Sequence, residues 1–349
     1  MSKKVKVGIS IGDLNGIGFE VIIKALEDNR MLTNATAVIY SSAKIASYFR
    51  KALELPFNYK KINDADEAQD GKVNVLNVWD DEFKIELGSS TPDGGKVAFM
   101  SLEAATKDLA AGKIDVLVTA PINKKNIQNE NFQFAGHTEY LTKYSNADES
   151  LMFMVSGDLR VGIATNHIPL SEIPKTLTKE IIIAKLKLMN QSLVRDFGII
   201  KPRIAVLGLN PHAGENGMLG EEESTIIIPA IDAAKKEGIV AFGPYASDGI
   251  FGSKNYATFD GILAMYHDQG LTPFKALAGG SGVNFTAGLP IVRTSPDHGT
   301  AYEIAGQNIA DETSFRNAFF LAIDIFHNRI FNKEINKNPL KTKKFEKEY

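Results

Sequence analysis

Three histidines stand in matching places. His167, His212 and His267 each follow a short apolar run of strand type, in Asn166-His167-Ile168-Pro169, Asn210-Pro211-His212-Ala213 and Tyr266-His267-Asp268. One histidine so placed is more often structural than functional. Three, carried to one rim of a sheet, would offer imidazoles to a borderline divalent metal and leave positions open for water or a ligand. The chain has no cysteine, so disulfides, thiolate catalysis and cysteine metal sites are excluded. His137 differs from the three. It opens a helix-type segment beside Thr138, where backbone N–H groups favour an anion. His327 lies in a C-terminal helix pattern and reads as packing or solvent-facing.

The stretch from Met265 to Ala310 gathers ionisable and glycine residues between apolar runs. Lys275, Asn284 and Arg293 flank the glycines Gly279, Gly280 and Gly282. Arginine forks to phosphate oxygens, lysine adds a point charge, and asparagine adds a neutral donor. Glycines would let the backbone approach closely. The set suits a phosphate or carboxylate; otherwise these are unrelated solvated residues. Gly12-Asp13-Leu14-Asn15-Gly16-Ile17-Gly18 carries G-x-x-x-G-x-G rather than the dinucleotide fingerprint G-x-G-x-x-G. It is either a tight strand-to-helix turn or a backbone approach to a ligand.

The elements that must position these residues alternate. Val5 to Ile11, Ala37 to Tyr40, Val73 to Val78, Ile114 to Thr119, Ile204 to Leu207 and Ile262 to Met265 read as strands. A strand pair runs through Leu151 to Val155 and Arg160 to Thr165. Helical periodicity covers Phe19 to Leu26, Ser42 to Leu53, Lys96 to Ala111, Thr178 to Val194, Glu222 to Lys236 and Ser314 to His327. Strands alternating with helices define an α/β protein, whose ligands bind beyond the carboxyl ends of strands. Gly243-Pro244 and Ser247-Asp248-Gly249 read as turn chemistry. The lysine-rich stretch from Asn332 to Tyr349 reads as a solvated end.

With 349 residues, the chain can form one large domain or two ordinary ones. Its 44% hydrophobic and 23% charged content is that of a soluble globular protein. A net charge of −3 makes no case for nucleic acid or an anionic membrane as partner. No signal-type stretch or spanning apolar run is present, so a cytoplasmic protein without membrane attachment is expected.

Several motifs together resemble the 4-hydroxythreonine-4-phosphate dehydrogenase family of pyridoxal 5′-phosphate biosynthesis. They are Gly12-Asp13-x-x-Gly16-Ile17-Gly18-x-Glu20, Ala120-Pro121-Ile122-Asn123-Lys124, Gly136-His137-Thr138-Glu139 and Asn210-Pro211-His212-Ala213-Gly214-Glu215. Ser247-Asp248-x-x-Phe251, Tyr266-His267-Asp268-Gln269-Gly270 and Gly282-Val283-Asn284 complete the set. The likeness covers Val5 to about Phe326. Leu14 and Phe19 stand where many members carry proline, and Asn123 where one branch carries histidine. The resemblance implies two α/β/α lobes with a central cleft, as in isocitrate and isopropylmalate dehydrogenases. Residues 1–125 plus 305–349 would form the first lobe and 126–304 the second. The second lobe would carry the metal and phosphate ligands and the dimer interface.

The resemblance also assigns roles. His167, His212 and His267 would hold one divalent metal (zinc, magnesium or cobalt). His137, Thr138, Lys275, Asn284 and Arg293 would bind a small phosphorylated substrate. Asp297, Gly299, Thr300 and Ala301 would meet NAD or NADP. The site would be shared across a homodimer, with His267 donated to His167 and His212 of the other chain. Asp248 and Asp268 are the candidate bases; support of the metal histidines is their other reading. The implied reaction is oxidation of 4-(phosphooxy)-L-threonine to a β-keto acid, which decarboxylates to 3-amino-2-oxopropyl phosphate. A sister branch acts on 4-phosphothreonate or 4-phosphoerythronate. A metal hydrolase and a non-catalytic phosphometabolite sensor are the readings from other classes, and the Asp297 to Ala301 loop speaks against the hydrolase.

Overall fold

The computed structural model describes residues 4–338. The first elements in chain order are β1 (Val5–Ser10), α1 (Gly18–Glu27), β2 (Ala35–Ser41), α2 (Ala43–Ala52), β3 (Lys60–Ile62), β4 (Val73–Asn77), α3 (Pro92–Ala110) and β5 (Val116–Thr119). Next come α4 (His137–Tyr144), β6 (Leu151–Ser156), β7 (Leu159–Thr165), α5 (Ile173–Thr176), α6 (Lys179–Arg195), β8 (Arg203–Leu207), α7 (Ile228–Lys236) and β9 (Val240–Tyr245). The chain closes with α8 (Ser247–Gly252), β10 (Gly261–Tyr266), α9 (His267–Ala278), β11 (Val283–Ala287), β12 (Arg293–Pro296) and α10 (Thr313–Ile335).

The twelve strands of the described residues form one sheet, ordered β3-β4-β2-β1-β5-β12-β11-β6-β7-β10-β8-β9. Neighbours from β3 to β12 are parallel. The pairs β12–β11, β11–β6 and β6–β7 are antiparallel, and β7, β10, β8 and β9 are again parallel. Three reversals therefore separate two parallel blocks that point opposite ways. Helices cover both, and the fold is of the α/β class.

Sequence dictates the buried strands directly. Val7, Ile9, Ile39, Leu117 and Val118 are fully buried because helices lie on both faces of their block. On α6 the stripe Ile182, Leu186, Met189 and Leu193 faces the core, and the Thr178 hydroxyl caps the helix by accepting from the Ile181 N–H. α3 begins at Pro92, ahead of the expected Lys96. Thr91 caps it, proline takes the first turn, and Gly94-Gly95 lies inside the helix. Gly95 is needed there: a side-chain carbon would fall 2.0 Å from the Asn126 carbonyl oxygen.

Two other expectations change. Gly243 and Pro244 lie inside the edge strand β9, where a missing N–H leaves no ladder partner unpaired. α10 runs to Ile335, beyond the expected end at His327 and into the stretch read as solvated from Asn332. Arg329 anchors that last part. Its Nε donates to Asp196 at 2.7 Å and its Nη1 to the Ile291 carbonyl at 3.0 Å. The remainder of the lysine-rich stretch, 339–349, lies outside the described residues.

The Gly12–Gly18 turn is wholly buried. Gly12, with φ of +67°, packs on the Pro121 carbonyl; a side-chain carbon there would lie 2.2 Å from that oxygen. Gly16 packs likewise on Thr300, and the Ile17 N–H donates to the Thr300 carbonyl at 3.0 Å. Asp13 receives Asn126 and the Tyr302 hydroxyl at 2.7 and 2.8 Å. The turn is thus a joint. It locks the loop after β5 to the loop after β12, which are the two loops bordering the candidate site. Among the described residues no helix is long and apolar enough to cross a membrane.

Candidate active site

Strand alternation builds the floor of the site. Arg293 is in register with Leu117, Asn284 with Ser295, and Thr286 with Met152. Cross-strand partners and residues two apart share a face. Thr119, Arg293, Ser295, Asn284, Thr286 and Met152 therefore all point to one side of β5, β12, β11 and β6.

Arg293 dominates this floor. It is 2% exposed. Its Nε and Nη2 donate to the Thr119 hydroxyl at 3.0 and 2.6 Å, and its Nη1 donates to the Thr286 hydroxyl at 3.2 Å. Among the described residues no carboxylate forms an ion pair with it. Burial lowers the guanidinium to about 9, against the attraction of Glu139. Two hydroxyls do not replace the water a cation loses, so this charge calls for an anion.

The wall above is the start of α4. Its N-cap, Gly136, makes no side-chain cap, and its first turn borders a cavity of about 200 Å³ that Arg293, Asn284, His137 and Lys124 also line. The open helix end and two cations give the cavity an anion-attracting character. His137 Nε2 and Asn284 Oδ1 are buried without a protein partner. Burial, with Arg293 and Lys124 nearby, holds the His137 imidazole well below its ordinary 6.5, so it is neutral at neutral pH.

The three histidines do share a rim, since β7, β10 and β8 are parallel neighbours. They are not grouped as the sequence reading paired them. His167 and His267 lie side by side, with ring centroids 5.5 Å apart. His212 lines a separate cleft of about 530 Å³ beyond the start of α9, together with Asp248 and Asp268. β10 lies between β7 and β8, which puts the outer two about 10 Å apart at their strand ends. Among the described residues no group of three or more metal-type side chains is placed to hold an ion. One chain thus does not present a complete three-histidine site.

Their supports are specific. The Asp268 carboxylate is 2.7 Å from His267 Nδ1 and orients that ring. Asp248 and Asp268 are both exposed. His167 Nδ1 lies 3.9 Å from Glu139, and its nearness holds the Glu139 carboxyl below the usual range. His212 sits in a run of left-handed backbone from His212 to Asn216, with φ of 42–80°. Such a run is strained for residues other than glycine. Buried Glu223 pins it from the strand side, accepting the Leu209 and Asn210 N–H groups at 2.7 and 2.8 Å.

Lys275 is not on the floor with Asn284 and Arg293. It lies on α9 and reaches Asp297, 3.0 Å from both the carboxylate and the carbonyl oxygen. Burial raises the Asp297 carboxyl while Lys275 opposes the shift. Gly279 and Gly280 serve the backbone instead: with φ of 54° and 85° they end α9. Of the Asp297 to Ala301 loop, Gly299 borders the cavity, Thr300 is tied to Ile17, and Ala301 is left-handed at φ of 44°. Beside them His298 Nε2 is buried with no protein partner. Open space around Gly299 and this orphaned nitrogen fit a planar, polar cofactor edge entering from the loop side.

Residues 33–322 match the family described as pyridoxal phosphate biosynthetic protein PdxA. The chain belongs to the PdxA family. A 4-hydroxythreonine-4-phosphate dehydrogenase from Bacteroides thetaiotaomicron is 53% identical over 345 residues, covering 99% of this chain and 95% of that one. A protein of Oceanobacillus iheyensis named as a D-threonate 4-phosphate dehydrogenase is 38% identical, covering 93% and 99%. The solved 4-hydroxythreonine-4-phosphate dehydrogenase of Klebsiella pneumoniae is 32% identical with a TM-score of 0.80, over 93% of this chain and all (100%) of that chain. A β-decarboxylating dehydrogenase of Thermococcus kodakarensis shares the fold at 13% identity and a TM-score of 0.50, covering 93% and 84%. PdxA members are oxidoreductases, and this chain shares its fold with that β-decarboxylating dehydrogenase.

Sequence reasoning gave no role to Thr119, Glu139 and His298 on the cavity lining, or to Thr286, which holds Arg293 from β11. Thr286 follows Asn284 by two, a same-face signal visible only once β11 is known to be a strand. Glu139 stood in plain view inside Gly136-His137-Thr138-Glu139.

His137, partly exposed as a residue but with its Nε2 shut from water, links stability to pH. Its folded pKa lies below the unfolded value of 6.5, so below that pH the unfolded chain binds more protons. Stability should fall as pH drops from about 7.5 to about 5.5. His137→Asn should flatten part of that fall in thermal unfolding midpoints; an unchanged slope would mean that His137 titrates normally.

Proposed function

We propose that this chain oxidises 4-(phosphooxy)-L-threonine at its secondary hydroxyl, with NAD or NADP, in the supply of pyridoxal 5′-phosphate. The observation that carries the reading is buried Arg293, a desolvated cation with no carboxylate ion pair among the described residues, facing the open end of α4. A phosphate monoester suits that place: Arg293 meets its oxygens, and the α4 N–H groups, Thr138 and Asn284 add donors. Fixing the phosphate there orients the rest of the substrate toward His167 and His267. The 53% identity to a 4-hydroxythreonine-4-phosphate dehydrogenase, against 38% to a threonate phosphate dehydrogenase, favours the amino acid substrate.

A bound nicotinamide, beside Gly299 to Ala301, would supply the hydride acceptor. A divalent metal such as zinc, magnesium or cobalt would supply Lewis-acid activation of the hydroxyl. His167 and His267 would hold it from one side, and the incomplete set in one chain supports a homodimer in which a second copy completes it. Asp268 keeps His267 in its orientation, and Asp248 and Asp268 remain the candidate bases. Oxidation next to the carbon bearing the carboxylate gives a β-keto acid. Loss of CO2 from it then yields 3-amino-2-oxopropyl phosphate. Residues 1–125 with 305–349, and 126–304, are the proposed lobes. The cytoplasm is the proposed location, and neither nucleic acid nor membrane is a proposed partner.

The direct test measures reduced nucleotide formed from 4-phosphohydroxythreonine, 4-phosphothreonate and 4-phosphoerythronate, with each nucleotide. The amino acid should lead by at least ~10-fold in kcat/KM. A lead by threonate phosphate would move the chain to the sister branch. Phosphate release without nucleotide reduction would make it a hydrolase. The shared site has its own test. Inactive His167→Ala and inactive His212→Ala chains, mixed and allowed to exchange, should regain activity, because each heterodimer keeps one intact set. Verified heterodimers without activity would place the whole site in one chain.

A further inference from the structure

A guanidinium carries five N–H donors in a rigid plane. In Arg293 three of them are spent on hydroxyl oxygens, two on Thr119 and one on Thr286. Five less three leaves two for a ligand. A phosphate monoester presents three terminal oxygens, each a strong acceptor. Arg293 can therefore hold such a ligand without satisfying it. Further donors must stand on the same floor.

Ser295 is placed to be one. It lies two residues after Arg293 on β12 and opposite Asn284 on β11, so its side chain joins theirs on the cavity face. Thr294, between the two, points the other way and donates its hydroxyl to the Ala318 carbonyl at 2.7 Å. Ser295 is 7% exposed and lines the cavity with Arg293 and Asn284. Among the described residues its hydroxyl has no hydrogen-bond partner, and buried hydroxyls generally have one. Thr119 repeats the pattern from β5. Its Oγ1 accepts twice from Arg293, so both lone pairs are taken and its own O–H is left to point elsewhere. Hydroxyls suit such a floor, because they add donors without setting a second buried charge beside the guanidinium. Resting on the phosphate reading of the site, we propose that the Ser295 hydroxyl is a further ligand of the substrate phosphate. It donates to an oxygen that Arg293 leaves unsatisfied.

Calorimetric titration with inorganic phosphate, on the wild type and on Ser295→Ala, tests the assignment. The variant should bind phosphate at least ~5-fold more weakly, as expected for the loss of one hydrogen bond to a charged group. Its ligand-free thermal midpoint should hold, since the hydroxyl bonds nothing in the protein. Its kcat/KM for 4-phosphohydroxythreonine should fall while the KM for nucleotide stays the same. Equal phosphate affinity in the two chains overturns the proposal. A raised KM for nucleotide with phosphate affinity unchanged also overturns it, and gives Ser295 to the cofactor instead. Weaker phosphate binding accompanied by a clear fall in the ligand-free midpoint overturns it too, because the hydroxyl would then be holding the floor together. A wild-type chain that binds no phosphate would overturn the phosphate reading itself, so the two failures are distinct. Should Ser295→Ala not fold, Ser295→Cys keeps the size with a weaker donor and is judged by the same affinities.

Discussion

A buried cation with no ion-pair partner among the described residues sits at the centre of this structure. Arg293 is buried between two strands that run in opposite directions, and among the described residues its hydrogen-bond partners are the hydroxyls of Thr119 and Thr286. Burying a guanidinium in that state costs several kcal/mol that the fold must recover elsewhere. The surrounding features make sense as devices for delivering an anion to it. The open start of α4, unpartnered Asn284 and neutral His137 all meet at that point. A second cation at His137 would only have repelled Arg293; burial keeps it uncharged.

The large sheet is what allows the arrangement. Two parallel blocks give many strand ends, yet they point in opposite directions and would hold their loops apart. The antiparallel β11 and β6 join the blocks and expose a flat face between them. Arg293 and Asn284 stand on that face, while the β5 and β12 loops frame it from one block and the β7 and β10 ends from the other. The buried joint at Gly12 to Gly18 locks the first pair of loops. Gln269 locks the other side, accepting from the Met265 N–H and donating to the Gly208 carbonyl. The candidate cavity thus lies at the seam between the blocks and is lined from both.

Much of this was legible in the chain. Apolar runs at Ile114 to Thr119 and Ile204 to Leu207 announce buried strands because nothing else buries such runs so cheaply. The placing of three histidines after strand-type runs foretold one rim, because β7, β10 and β8 are parallel neighbours. What stayed hidden depends on partners distant in sequence. β12, Arg293-Thr294-Ser295-Pro296, is short and polar and lacks the apolar alternation of a strand, while β11, Val283 to Ala287, alternates over only five residues and follows directly on glycines. α9 begins with His267-Asp268-Gln269-Gly270 and contains Pro273, which mask its periodicity. Lys275 seemed to belong with Arg293 because both flank the same glycines, yet α9 turns it toward Asp297. The separation of His212 from the other two could not be read at all, because spacing along a chain says nothing of which side of a helix a loop passes.

In the proposed function Arg293 is kept charged and buried for a phosphate. Calorimetric titration with inorganic phosphate, on the wild-type chain and on Arg293→Met, tests it most directly. Phosphate should bind the wild type, and should bind Arg293→Met at least ~10-fold more weakly. The ligand-free thermal midpoint of the variant should equal or exceed that of the wild type, because removing an uncompensated buried charge relieves a cost. Equal phosphate affinity in both chains, or a variant that is markedly less stable without ligand, would contradict the claim and make Arg293 a structural cation.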